Sequence, residues 1–306
     1  MPGVEVLRGI AAGVGVVHHL WSLSTRSRVP GYWVLEGFGS LGVDIFFVLS
    51  AFLLSPPSWR WTSSRDLVTF WSRRIARIAP AYLVNVGVLF VFFVPAAVLF
   101  SSTGLRQVAA NLTFTNQLFP STASSLGANG VLWTLSIEMT LYLMLPVIGW
   151  VFRRAPLATF CALVGAGVGW RLLIGIAGDG LRDFYFGDSP LPIQLQSLFI
   201  ARQFVGYLPL FAIGMGVRWI YDEHRDVVAA QRWLRSASVG RVVVLLLPAV
   251  AYLAFVERSS FFDRWVWFSS FDTMIALLIV PALLVAANGA VTASPTMRAA
   301  EWLGQR

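Results

Sequence analysis

Eight nearly uninterrupted apolar stretches dominate this chain, at 7–23, 38–54, 78–100, 131–152, 157–175, 198–217, 242–256 and 268–287. Each is close to the ~20 residues a helix needs to cross a ~30 Å hydrocarbon core. Backbone in lipid must satisfy its own hydrogen bonds, so runs of this length select helices over open sheets. The expectation is an all-α integral membrane protein, a polytopic bundle of about eight transmembrane helices, with residues 1–306 forming a single transmembrane domain. Composition agrees, since 57% of the residues are apolar and 12% charged, whereas soluble domains carry about 25% charge. The first run should remain in the mature chain. His18 and His19 interrupt it, and Trp21-Ser22-Leu23 stands where a signal peptidase would need small residues.

All 23 basic residues are arginine, against 15 acidic ones, for a net charge of +8. In a membrane protein such an excess belongs first to loops retained in the cytoplasm and second to contacts with anionic lipid or phosphate, so nucleic acid is not an expected partner. Assigning loops alternately to the two sides places fifteen arginines with the termini and seven opposite, the seven including Arg171, while Arg202 falls inside a span. That bias predicts cytoplasmic termini. One cysteine, Cys161, excludes an intramolecular disulfide and a multi-cysteine metal site, and it reads as a small buried hydrophobe. Gly165 and Gly169 read as a packing seam. His224 lies in a charged loop, and Asn111-Leu112-Thr113 matches a short glycosylation sequon. No GxSxG, P-loop, HExxH or dinucleotide fingerprint occurs.

Four segments carry chemistry. In the first run Arg8 and His19 are eleven positions apart, only ~20° from three full helical turns, so both project from one face. His19 then lies about 16 Å deeper than Arg8, near the membrane midplane if Arg8 is at the cytoplasmic surface. Two readings are open: a functional ionisable group, or an imidazole that joins helices by hydrogen bonding. In the second run Asp44 follows Gly37, Gly39 and Gly42, which suit close helix approach. Asp44 either pairs with a cation, a catalytic histidine or an arginine, or sits at a helix mouth in water. In the third segment Arg74 and Arg77, at i and i+3 before a span, suit a phosphate clamp or an interfacial helix gripping lipid headgroups. In the fourth, Glu138 and Tyr142 stack at i and i+4, where they either line a polar cavity for a hydroxylated acceptor or leave Glu138 as partner to a buried arginine such as Arg202.

Together these segments resemble the acyltransferase-3 family of integral membrane O-acyltransferases, which decorate bacterial cell-envelope glycans. The resemblance rests on Leu7-Arg8-Gly9-Ile10-Ala11-Ala12 with His19 at the family's spacing, Gly42-Val43-Asp44-Ile45-Phe46-Phe47-Val48-Leu49-Ser50, Arg74-Ile75-Ala76-Arg77-Ile78-Ala79-Pro80-Ala81-Tyr82-Leu83, and Trp133-Thr134-Leu135-Ser136-Ile137-Glu138, all in order. It implies transfer of an acyl group, usually acetyl, from cytoplasmic acyl-CoA (acetyl-CoA) to a hydroxyl of an envelope glycan or glycolipid. On that resemblance His19 is the catalytic base with Arg8 beside it. Asp44 or Glu138 orients the base or the acceptor, and Arg74, Arg77, Tyr82, Trp133, Ser136 and Tyr142 bind substrates. It implies no permanently bound cofactor and no metal, with membrane lipid as the surroundings of a multi-pass inner or plasma membrane protein.

The sequence departs from the family at Ala51, where glycine is common after Ser50, and at Met139-Thr140-Leu141, where a more polar or aromatic run is usual. Family members have about ten spans, and 300–306 resembles the lead into a last helix, so a C-terminally truncated domain is expected. Two other readings are a glycan or lipid transporter with midplane charges along its path, which usually shows internal repeats not seen here, and an inactive truncated remnant.

Overall fold

A computed structural model describes residues 1–23, 32–59, 61, 63–123, 132–224, 226–227, 236–237, 239–258, 265–288 and 290–291. The described residues are almost entirely α-helical, as the apolar runs predict. The helices are α1 (Pro2–Leu23), α2 (Tyr32–Ser58), α3 (Ser64–Phe92), α4 (Ala96–Leu99), α5 (Ser102–Leu112), α6 (Trp133–Arg154), α7 (Pro156–Phe186), α8 (Ile193–Ala201), α9 (Leu208–Glu223), α10 (Val239–Arg258) and α11 (Trp265–Asn288). A two-residue parallel pairing of Ser236–Ala237 with Ala290–Val291 is the one sheet among the described residues. Six helical segments, in α2, α3, α6, α7, α9 and α11, are long and apolar enough to cross a membrane. The two remaining runs also fold as helices, α1 and α10, although the apolar part of α10, Arg241–Leu253, is shorter.

Two expected spans have different limits. The run 78–100 belongs to a helix that starts fourteen residues earlier, at Ser64, and stops at Phe92. Its start is fixed by a capping box: the Asp66 amide donates to the Ser63 hydroxyl at 3.3 Å, and the Ser63 amide donates to Asp66 Oδ2 at 3.1 Å. Pro95 closes the other end. Arg73, Arg74 and Arg77 therefore lie within the helix rather than ahead of it. The run 198–217 is likewise broken: α8 ends at Ala201, Phe204–Tyr207 forms a 3-10 turn, and α9 begins with Pro209 in its first turn. Arg202 sits at the end of α8, not inside a span.

The chain divides into two compact units. The first comprises 1–56, 156–172 and 207–306. Its core is written in helical periodicity: Ile45, Val48, Leu49 and Phe52 on α2 and Ile275, Ile279, Ala282, Leu283 and Ala286 on α11 are all buried. Glycine sets the closest crossings. A Cβ at Gly214 of α9 would overlap the Val48 carbonyl and the Ala51 side chain of α2, and one at Gly3 of α1 would overlap the Ala286 carbonyl of α11. Gly39 and Gly42 let α2 approach α1, since Cβ atoms there would lie 2.7 Å from the His18 ring and 2.9 Å from the Ala11 carbonyl.

The second unit comprises 57–155 and 173–206. Tyr82, Val86 and Phe90, one helical turn apart on α3, pack with Leu132 and with Val108, Phe114 and Leu135. Trp71 Nε1 donates to the Tyr142 carbonyl at 3.1 Å, tying α3 to α6. Trp59 stacks on Phe152 with 5.7 Å between ring centroids.

Four smaller expectations are corrected. Cys161 is exposed on α7, not buried. Among the described residues a Cβ added at Gly165 or Gly169 would meet nothing within 4 Å, so neither marks a close helix crossing there. Asn111 is buried within α5, which closes the sequon to modification. Arg171, counted with the loops, is buried inside α7. The arginines at 26, 28, 60, 225, 232, 235, 264, 298 and 306 and the stretch 300–306 lie outside the described residues.

Candidate functional site

Helix α1 is unbroken from Pro2 to Leu23, so the eleven-residue spacing of Arg8 and His19 becomes a shared face in fact. Arg8 is half-buried and pairs with Glu5, its Nη1 donating to Oε2 at 2.6 Å one turn away. His19 is exposed. Its ring meets that of His18 edge-on, with 5.2 Å between centroids. His18, not His19, is the imidazole against Gly39 of α2.

Of the two readings left open for Asp44, burial removes one, and a facing arginine accords with the other. It is 2% exposed, which excludes a helix mouth in water. The charges acting on it are those of Asp272 on α11 and Arg171 on α7. Arg171 forms an ion pair with Asp272, and both are buried. Three helices of the first unit thus converge on two carboxylates and one guanidinium. A buried pair of this type is stable only while both partners are present, because removing one leaves an uncompensated charge in a low dielectric. Neither Asp272 nor the burial of Arg171 was visible in sequence. Each reads as a lone charge near the end of an apolar run, and only the helix packing brings them together.

The second unit holds the remaining predicted residues in three groups. In the first, the Tyr142 hydroxyl donates to Glu138 Oε1, realising the i, i+4 stack. Phe70 lies edge-on to Tyr142 at 6.1 Å, and the Arg74 guanidinium lies over Phe70 at 5.8 Å. Arg74, Phe70, Tyr142 and Glu138 therefore form a continuous line from α3 to α6. Arg77, one turn further on, is exposed.

In the second group, Trp133 carries the guanidinium of Arg202 over its ring at 4.5 Å. The sequence offers Arg202 as a partner for Glu138, and one contact of Arg202 is with the indole five residues earlier on α6.

The third group is a buried cluster of neutral polar side chains. The Tyr82 hydroxyl donates to Asn111 Oδ1 at 3.2 Å, Asn116 Nδ2 donates to the same oxygen at 3.2 Å, and the Ser136 hydroxyl donates to Asn116 Oδ1. Asn111 Nδ2 in turn donates to the Gln107 carbonyl at 2.8 Å. Tyr82 and Ser136 thus spend their polar atoms on neighbours and are buried. The turn that carries Asn116 is tight: Phe114 adopts φ 57°, a left-handed conformation costly for an aromatic residue, and its ring stacks on Tyr82 at 4.3 Å. Asn111, Asn116, Gln117 and Gln203 are the polar residues that sequence reading missed. Their signal, an amide-rich turn between two helices, is indistinguishable in one dimension from a solvated loop. Among the described residues no cluster of three or more histidine, cysteine, aspartate or glutamate side chains has metal-binding geometry.

Residues 1–304 match the family described as the acyltransferase domain, a match that runs through both units. The chain is 30% identical over 169 residues to nodulation protein 10 of Rhizobium leguminosarum bv. viciae, covering 49% of this chain and 44% of that protein. It is 28% identical over 235 residues to the O-acetyltransferase OatA of Staphylococcus aureus, covering 70% and 36% respectively. It is 28% identical over 220 residues to the peptidoglycan O-acetyltransferase OatA of Listeria monocytogenes, covering 64% and 33%. The chain therefore spans less than half the length of these relatives. No solved structure is significantly similar. With four ordered motifs on an all-helical membrane scaffold and a match of this extent, the chain belongs to the acyltransferase-3 family.

Proposed function

We propose that this protein is a membrane O-acyltransferase that moves an acyl group, acetyl in the first instance, from acyl-CoA to a hydroxyl of a cell-envelope glycan. The observation that carries this reading is the exposed His19 imidazole in register with Arg8 on an unbroken helix, in a chain matched to the family from residue 1 to 304. Neutral imidazole removes the proton of the acceptor hydroxyl as its oxygen attacks the thioester carbonyl. The carbon–sulfur bond breaks, CoA leaves as thiolate, and the imidazolium returns the proton to that sulfur, so protons balance over the cycle. Arg8, held by Glu5, sets a positive charge on the same face as the base.

Arg74 and Arg77 serve the donor in this reading. Arg77 is free to reach solvent-borne phosphate, and Arg74 is steadied over Phe70. The Glu138–Tyr142 pair orients the acceptor. Asp44, facing Arg171 and Asp272, helps to hold α2, α7 and α11 in place. The chain is a multi-pass protein of the inner or plasma membrane with cytoplasmic termini, the orientation that the arginine bias supports.

The test is label transfer from acetyl-CoA to envelope glycan in membranes containing this chain or its His19→Ala variant. Loss of at least ~100-fold is expected, the usual contribution of a positioned base. Acylation of the variant at the unmutated level refutes the assignment, and glycan movement without an acyl donor points to transport instead.

A further inference from the structure

Within the amide cluster of the second unit one side chain stands apart. Gln117 is 1% exposed, and among the described residues neither its Nε2 nor its Oε1 has a hydrogen-bond partner. Its surroundings are not short of polar groups. Asn116 beside it is held by Asn111 and Ser136, and the Gln117 backbone carbonyl accepts from Gln203 Nε2 at 3.1 Å. Gln203 Nε2 also donates to the Phe199 carbonyl at 3.2 Å. The backbone at 117 is therefore fixed on both sides while its carboxamide is left open. A buried donor and acceptor without partners are costly, more so away from water. A methionine of nearly the same length would remove that cost and fill the same space.

We propose that the Gln117 carboxamide is a binding group for the carbohydrate acceptor, taking a pair of adjacent sugar hydroxyls; this rests on the acyltransferase reading above. A carboxamide is planar and presents one acceptor and two donor hydrogens from atoms side by side. Two neighbouring sugar hydroxyls present the complement, since one donates to Oε1 while the oxygen of the other accepts from Nε2. An acyl chain offers nothing to either atom, and a phosphate offers no donor to Oε1. The immobilised backbone spares the ordering that a loop residue would otherwise need on binding.

Full-length protein in detergent, with acetyl-CoA as donor and the tetramer of N-acetylglucosamine as probe acceptor, tests this by two readouts. In Gln117→Met the apparent KM for the tetramer rises about tenfold with kcat within about twofold, the scale of a lost hydrogen-bond pair. The thermal midpoint of this variant is no lower than that of the unmutated protein, and the rise in midpoint that the tetramer gives the unmutated protein disappears. Gln203→Met, which loses two made hydrogen bonds and loosens the backbone at 117, lowers the midpoint, raises KM less than Gln117→Met does and keeps the rise in midpoint that the tetramer gives. A Gln117→Met protein that unfolds earlier with unchanged KM marks the residue as structural and overturns the inference while leaving the acyltransferase reading intact. Absence of transfer by the unmutated protein counts against the acyltransferase reading alone if tetramer stabilisation is present and is lost in Gln117→Met. Absence of both transfer and stabilisation overturns the two together.

Discussion

The first unit buries its polarity in ionisable groups, the Arg171–Asp272 ion pair with Asp44 beside it, whereas the second buries it as neutral amides and hydroxyls, in Tyr82, Asn111, Asn116 and Ser136. The two solutions differ in how they fail. Ionised groups repay their desolvation only as a complete set, so the loss of one member strands the others. Neutral groups are linked pairwise, each bond being worth about 1 kcal/mol, so the loss of one is local. Positions near the ionic set are thus constrained by charge balance, while those in the amide set are free to be specialised one at a time.

The sharpest way to break this contrast is Arg171→Leu, which leaves two carboxylates facing each other in the first unit. It should cost about 3–5 kcal/mol, read as an earlier transition in a denaturing-detergent titration of micellar protein. Replacing Asp272 by Leu in the same chain should recover most of that loss; a double variant as unstable as the single one would show that the pair does not act as a unit. Next in size is Asn116→Leu, which unpairs the Ser136 hydroxyl and should cost roughly 1–3 kcal/mol in the same titration. A value equal to that of Arg171→Leu would erase the distinction between the units. The smallest effect belongs to Ser63→Ala, which removes the cap of α3 far from both clusters and should cost about 1 kcal/mol. It sets the scale of a change that touches neither kind of buried polarity.

How much of this was legible in sequence depends on whether the signal is local. The face shared by Arg8 and His19 follows from helix geometry alone, and so does the stack of Glu138 on Tyr142. The start of α3 was missed because five arginines between 60 and 77 lower the apparent apolarity of a segment that is nonetheless helical from Ser64, the long arginine stems covering apolar surface while their heads reach water. The break between α8 and α9 was missed because 198–217 is apolar throughout, and only the packing of Gln203 against Gln117 and Phe199 marks where the helix gives way. Arg171 with Asp272, like Asn111 with Asn116 and Ser136, depends on which helices meet. Periodicity gives each helix its inward face, but it does not pair one face with another.

Helix α7 has 31 residues, with non-helical backbone at Ala177, and few of its side chains are buried against protein. The sole thiol of the chain, Cys161, sits on it five positions from Pro156 and is exposed. Nature has thereby left a single chemical handle on an outward surface, usable without removing any other cysteine. A fluorophore attached there would report the polarity at one known height along α7. Quenchers placed at graded positions in the acyl chains would then measure how deep that height lies, turning a residue with no part in the chemistry into a ruler for the protein's seating in its bilayer.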